Sequence, residues 1–205
     1  MTFNCPQCGD ALALRFKYSK LTRCDSCQST IFLEDETVLS LGQTTLLVDE
    51  PTLLSLHHPF VYEEKTFRPI GKIRYVYTLG FWEEWLVLND EHKAFWISID
   101  EGDMVIEEPL ALGDEMIKTI LTKKYLGAKV TINNKQYWVT EKAKGTCQGF
   151  EGELDRRVKV GEILEYMHLT ARNGNEHITL EREGTDYSAY VGQWLDMYEV
   201  KVHDV

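Results

Sequence analysis

From Phe60 onward, apolar and polar side chains alternate in short runs, the two-residue period of half-buried β-strands. Residues 65–77 (KTFRPIGKIRYVY) place Ile73, Tyr75 and Tyr77 on one face, and 78–80 read as a turn. FWEEWLVLN at 81–89 and KAFWISI at 93–99 predict two more strands, joined by a hairpin loop over 89–92. Gly102 marks another turn before a strand at 104–106. The period changes within 110–125. There Met116, Ile117, Ile120 and Leu121 form a helical stripe, Asp114 reads as the N-cap, and Lys123 and Lys124 fall in the last turn. Residues 127–145 then read as strand, Asn133-Asn134 turn and strand, and 149–160 read as loop. Three further strands are expected at 162–170, 176–182 and 187–191.

The fold class this predicts is mainly β with one short helix. Residues 60–71 (FVYEEKTFRPIG) and 129–142 (KVTINNKQYWVTEK) share the order strand, polar turn, lysine, aromatic, strand. A duplicated unit, with halves 49–112 and 122–205 forming two related small barrels or sandwiches, and a set of independent hairpins both produce such a match.

Ahead of this body stand CPQC at 5–8 and CDSC at 24–27, two pairs at the spacing of a four-cysteine zinc site. Cys5, Cys8, Cys24 and Cys27 would fill all four tetrahedral positions and leave none for water, so one structural Zn2+ is expected. Gly9 supplies the freedom a tight turn needs. Strands are expected at 11–18 and 29–33, the layout of a zinc ribbon. Two disulfides are the alternative, and belong mainly to secreted chains. The division that follows is a ribbon over 1–33, a polar linker over 34–48 with a short strand near 37–41, and the β-rich body over 49–205.

The 205 residues carry a formal net charge of −11. Residues 1–33 hold four Lys/Arg against Asp10 and Asp25, and a zinc on four thiolates would bring them to about neutral. The remainder holds eighteen Lys/Arg against thirty-one Asp/Glu. An acidic body repels a polyanion, so nucleic acid is an unfavoured partner, with Lys17, Lys20 and Arg23 the only small patch for it. No apolar run approaches the roughly 18–20 residues that span a bilayer. With no leader segment read, the expected location is the cytoplasm.

Cys147, in Gly145-Thr146-Cys147-Gln148-Gly149, matches the spacing of a nucleophile elbow, but the surrounding pattern lacks the helix an elbow needs. It reads as a small residue in a turn, and no catalytic residue is assigned. Asp100, Glu101, Asp103, Glu107 and Glu108 form an acidic stretch without cation-loop spacing, which reads as a solvated hairpin tip. His57, His58, His92, His168 and His177 show no metal-ligand spacing. Trp82 and Trp85, three apart on a strand, must point to opposite faces, as must the adjacent Phe95 and Trp96. Two readings follow: an exposed aromatic surface for a partner, or a strand buried on both faces.

The motifs P-I-G-K-I-R-Y at 69–75, W-E-E-W at 82–85, F-W-I-S-I-D-E-G at 95–102 and G-E-L at 152–154, behind a four-cysteine ribbon, resemble a bacterial family defined only as domain of unknown function 4178. Asp155 stands where the family usually has Pro. The resemblance covers roughly 50–195. It implies no activity, and it implies a partner in membrane-stress or polyamine-linked gene systems. The resulting reading is a zinc-binding, non-enzymatic protein-interaction module with an indirect membrane association. A small-ligand binder or enzyme using a pocket between β-units, and a nucleic-acid ribbon, are the alternatives.

Overall fold

The computed structural model describes residues 3–34, 37–40, 47, 50–172 and 174–202. The short hairpin β1 (Phe3–Asn4) and β2 (Ala11–Leu12) is followed by a three-stranded sheet of β3 (Leu21–Arg23), β4 (Thr30–Glu34) and β5 (Thr37–Ser40). The strand expected over 11–18 is thus only two residues long. Leu41, the rest of the linker and Asp49 lie largely outside the described residues.

The body runs β6 (Phe60–Tyr62), β7 (Lys65–Val76), β8 (Phe81–Asn89), β9 (Ala94–Asp100), β10 (Asp103–Pro109), α1 (Asp114–Leu121), β11 (Lys129–Ile132), β12 (Lys135–Gly152), β13 (Ile163–Ala171), β14 (His177–Glu183), β15 (Asp186–Leu195) and β16 (Lys201–Val202). The order β12-β13-β14-β15-β10-β9-β8-β7 closes on itself, because β12 pairs with β13 over Tyr137–Thr146 and with β7 over Thr146–Gly152. Eight antiparallel strands therefore form one closed barrel. The two halves of the body do not make a barrel each; they share this one.

Each half is the same five-stranded meander, β6–β10 or β11–β15, in which a two-residue turn joins a short strand to a long one. Glu63 and Glu64 occupy that turn in the first half, Asn133 and Asn134 in the second, and all four have positive φ. That is the geometry a tight hairpin of matching twist demands. The halves meet at two seams between equivalent strands, β7 with β12 and β10 with β15.

Side-chain alternation divides the barrel into an inner and an outer face. Outside, Trp85, Val87, Ile97 and Met104 lie beneath Leu54, Phe60 and Phe67. On the opposite side Met167, Leu169, Ile178 and Leu180 are covered by Ile117 and Ile120 of α1 and by the β11–β12 hairpin. The helix starts one residue earlier in the capping scheme than its sequence predicts. Gly113 is the N-cap, with no side-chain bond, and Asp114 is the first helical residue. Lys118, not Lys123 or Lys124, lies in the last turn, since the helix ends at Leu121. Inside, Ile73, Tyr75, Trp82, Leu86 and Phe150 pack with Phe16, Leu21 and Phe32 of the cysteine module. The module therefore stoppers one end of the barrel.

Candidate functional site

Two loops of one design bring the cysteines together. In each, the residue after the second cysteine has positive φ, Gly9 at +81° and Gln28 at +63°, and its N–H donates to the carbonyl of the first cysteine at 2.8 Å. The Cys5 N–H donates to the Asp10 carbonyl at 2.7 Å, and the Cys24 N–H to that of Ser29 at 3.0 Å. The four sulfurs lie within 4.8 Å of one another, with Cys5–Cys27 at 3.6 Å and Cys8–Cys24 at 3.7 Å. Tetrahedral sulfurs about 2.3 Å from an ion would stand about 3.8 Å apart, so the set fits a four-coordinate metal with no open position. No two of the sulfurs are bonded to each other; the four stand as free thiols. Without an ion the thiols diverge: hydrogen bonding from Ser29 pulls Cys27 down to about 6, while Cys8 is pushed up to about 12 and burial raises Cys24.

The G-E-L motif docks this module. The buried Glu153 carboxylate accepts the N–H of Arg15 at 2.8 Å, the N–H of Phe16 at 3.1 Å and the Ser19 hydroxyl at 2.7 Å. Beside it Leu154 pairs with Leu21, its N–H donating to the Leu21 carbonyl at 2.8 Å.

Next to the stopper the barrel interior is ionic. Arg156 stacks on Trp96 at 4.3 Å, pairs with Glu181 at 2.9 Å and contacts Glu84. Toward the other end a cavity of about 140 Å³ opens, with Glu107 among its lining residues and Asp100, Glu101, Asp103 and Glu141 around it. Glu107 accepts from the Thr179 hydroxyl at 2.5 Å, and burial pushes its carboxyl up to about 7. Glu141 accepts from Tyr166 at 2.6 Å and lies 3.0 Å from His168 Nδ1, which holds its carboxyl low. Asp100 accepts from the Tyr77 hydroxyl at 3.2 Å. A ladder of rings lines the wall: Trp82 against Tyr166 at 5.2 Å, then His168, His177 and Trp194 at successive centroid separations of 4.7, 4.5 and 5.2 Å. His177 is 1% exposed, its Nδ1 has no hydrogen-bond partner, and burial pushes its imidazole down to about 3.

The aromatic residues do fall on opposite faces, and both faces are buried. Trp82 at 4%, Trp85 at 1% and Trp96 at 5% exposure belong to the core and Phe95 is half-buried, so of the two readings these residues take burial on both faces and not an exposed surface. Within W-E-E-W each indole N–H caps the carboxylate two residues away on its own face, Trp82 to Glu84 at 3.2 Å and Trp85 to Glu83 at 3.1 Å. Outside, Glu83 binds Arg74 at 2.7 Å and lies 3.7 Å from Lys72. Cys147 lies within β12, not in a turn, and burial raises its thiol to about 12, far from a nucleophile's range. The acidic stretch divides: Glu101 and Asp103 are exposed at the β9–β10 turn, the solvated tip expected, whereas Glu107 is buried, and Asp100, Glu101, Asp103 and Glu107 all line the cavity. His168 and His177 also line it. The signal that could have found them is the inward set of each strand, read after the barrel is known.

Fold and sites together define a closed antiparallel β-barrel with a carboxylate-lined interior, stoppered by a module whose four thiols could hold a metal ion. The chain belongs to the family described as Domain of unknown function (DUF4178), whose profile matches residues 59–197. No curated protein and no solved structure matches the chain. Among the described residues, no helix is long and apolar enough to cross a membrane.

Proposed function

We propose that this protein is a non-enzymatic small-ligand-binding barrel whose end is stapled by structural zinc. Residues 1–33 act as a zinc ribbon, 34–48 as a linker and 49–205 as the binding body. The observation that carries the reading is the cavity inside the closed barrel, lined by polar residues that include the buried His177, whose Nδ1 has no hydrogen-bond partner. An eight-stranded barrel is wide enough to be filled by side chains or to hold one small ligand. Here the inward positions are Glu, Asp, His, Thr and Ser as well as apolar residues, so the fill is polar and incomplete. Zinc adds folding free energy to a module with too few apolar residues to hold itself. A protein partner bound through Trp82, Trp85, Phe95 and Trp96 loses its basis, because their surfaces are occupied by the core.

The test has two arms. Metal analysis should give one zinc per chain, lost in Cys24→Ser. A thermal-shift screen of small polar molecules should give ligands that stabilise the parent and not Ser98→Phe, in which a ring fills the cavity. A screen in which Ser98→Phe responds like the parent would rule out the barrel interior as the site.

A further inference from the structure

We infer that the barrel cavity takes a small organic ammonium ion of about five or six heavy atoms, its charged head among Asp100, Glu107 and Glu141 and its carbons against Trp82 and Tyr166. This rests on the ligand-binding reading above and adds the ligand's charge and size.

The charge follows from how the interior carboxylates are partnered. Arg156 answers Glu84 and Glu181 at the stoppered end. The three carboxyls at the open end face hydroxyl donors instead: Tyr77 for Asp100, Thr179 for Glu107, and Tyr166 for Glu141, with the imidazoles of His168 and His177 in the same wall. Glu101 and Asp103 add further negative charge at the rim. The space is therefore built for a cation. Independently, the buried His177 presents a ring nitrogen that nothing in the protein satisfies, and it forms part of the same wall. A buried polar atom of this kind is normally met by a protein group, a water or a ligand.

The cation is organic, not a bare metal. Among the described residues, the four thiols form the only group of three or more side chains that could hold a metal ion. The barrel carboxylates are spread around the wall, each with its own hydroxyl donor, which suits N–H bonds radiating from one ammonium group. Aromatic faces attract such a cation, and Trp82 and Tyr166 supply them. Size follows from volume: a cavity of roughly 150 Å³ holds benzene, against about 140 Å³ here.

The test is calorimetric titration of the full, metal-loaded chain with n-butylammonium. The same-length probes 1-butanol and butyrate serve as its neutral and anionic counterparts, and Mg2+ as a bare divalent ion. n-Butylammonium is expected to bind at least about ten-fold more tightly than either counterpart, the effect of a charge-assisted hydrogen bond. At about pH 8, where the Glu107 carboxyl is ionised, Glu107→Gln should weaken it about ten-fold or more. Glu141→Gln, at the half-open mouth, serves as the second variant should the first fail to fold. Equal binding of 1-butanol, tighter binding of Mg2+, or unchanged affinity in both variants would overturn the ammonium assignment while leaving a ligand-binding barrel. No binding by any probe, with a thermal-shift screen also empty, would overturn the cavity reading as well.

Discussion

Gly71 of β7 and Gly152 of β12 are register partners at the seam where the two halves of the barrel join. Neither has room for a methyl group. A Cβ on Gly71 would stand 1.9 Å from the Glu153 carbonyl oxygen, and one on Gly152 would stand 2.2 Å from that of Ile70. The P-I-G-K and G-E-L motifs are thus two sides of one close backbone approach, with the cysteine module docked on it.

Replacing Gly152 by Ala should therefore cost more than an ordinary glycine substitution. It meets both the carbonyl and a backbone at φ +71°. The expected loss is about 3 kcal/mol or more, from overpacking plus a left-handed conformation. Chemical denaturation measures it. A loss below about 1 kcal/mol would mean the seam relaxes easily.

Glu153 ties the module to the barrel through three donors, so Glu153→Gln should loosen it without unfolding the barrel. The carboxylate's charge-assisted bonds to Arg15, Phe16 and Ser19 set the scale at about 2–3 kcal/mol. The readout is faster proteolysis between residues 13 and 20. Removing the metal with a chelator should also lower the barrel's melting temperature, because Phe16, Leu21 and Phe32 share its core. An unchanged barrel transition after metal removal would show that the docking contributes no stability.

On the outer face, Glu83 is the common anion for Arg74 and Lys72, all three buried. Glu83→Ala would remove the carboxylate 2.7 Å from the buried Arg74 and leave Lys72 with Glu151 at 3.4 Å, at a cost of about 3 kcal/mol. Equilibrium unfolding of Glu83→Ala against the conservative Glu83→Gln checks this, with Gln expected to retain part of the loss.

The interior makes stability depend on pH. Burial raises Glu107 from an ordinary 4.5 to about 7, against smaller opposing effects from Thr179, His168 and Arg156, with Glu84 adding to the rise. The folded chain then holds a proton that the unfolded chain releases. This contribution is fully present below about 4.5 and is lost as pH rises through about 7. Burial raises Glu183 to about 7, which acts in the same sense. His177, pushed down to about 3, acts oppositely: its contribution is present above 6.5 and lost as pH falls toward 3. Glu107→Gln should melt higher than the parent at about pH 8 and show a shallower fall between about pH 5 and 8. A parental slope would place Glu107 as ionised in the folded state.

Glu63 and Glu64 hold the left-handed turn that Asn133 and Asn134 hold in the other half, with φ of +46° and +63°. Glutamate is poorly suited to it. Glu63→Asn with Glu64→Gly should stabilise by roughly 0.5–1 kcal/mol, as residues that tolerate this geometry do. Thermal melts of the double variant decide the sign.

How much of this the sequence reveals depends on the range of the interaction. The cysteine loops are local, and their spacing alone brings four sulfurs together. The strand runs and the opposed faces of Trp82 and Trp85 are local too. The barrel is not, since its seams join strands far apart in the chain, and without them no pattern tells which face is inside. Glu107 and His177 consequently look like ordinary strand residues. The reading of 145–149 as a turn fails for a related reason. Gly145 is there because a Cβ would stand 2.1 Å from the Trp82 ring, not because the chain bends.

The two seams also govern how the chain comes to be folded. Val76 waits for Thr146, and Met104 for Leu195, partners 70 and 91 residues later. During synthesis the first meander stands with bare edges on β7 and β10 until the second half emerges. Unpaired edges of this kind recruit whatever strand is nearest, including that of a neighbouring nascent chain, and distant pairing is slow. Two first halves from separate chains, meeting through the equivalent edges β7 and β10, would be the characteristic misassembly of this protein.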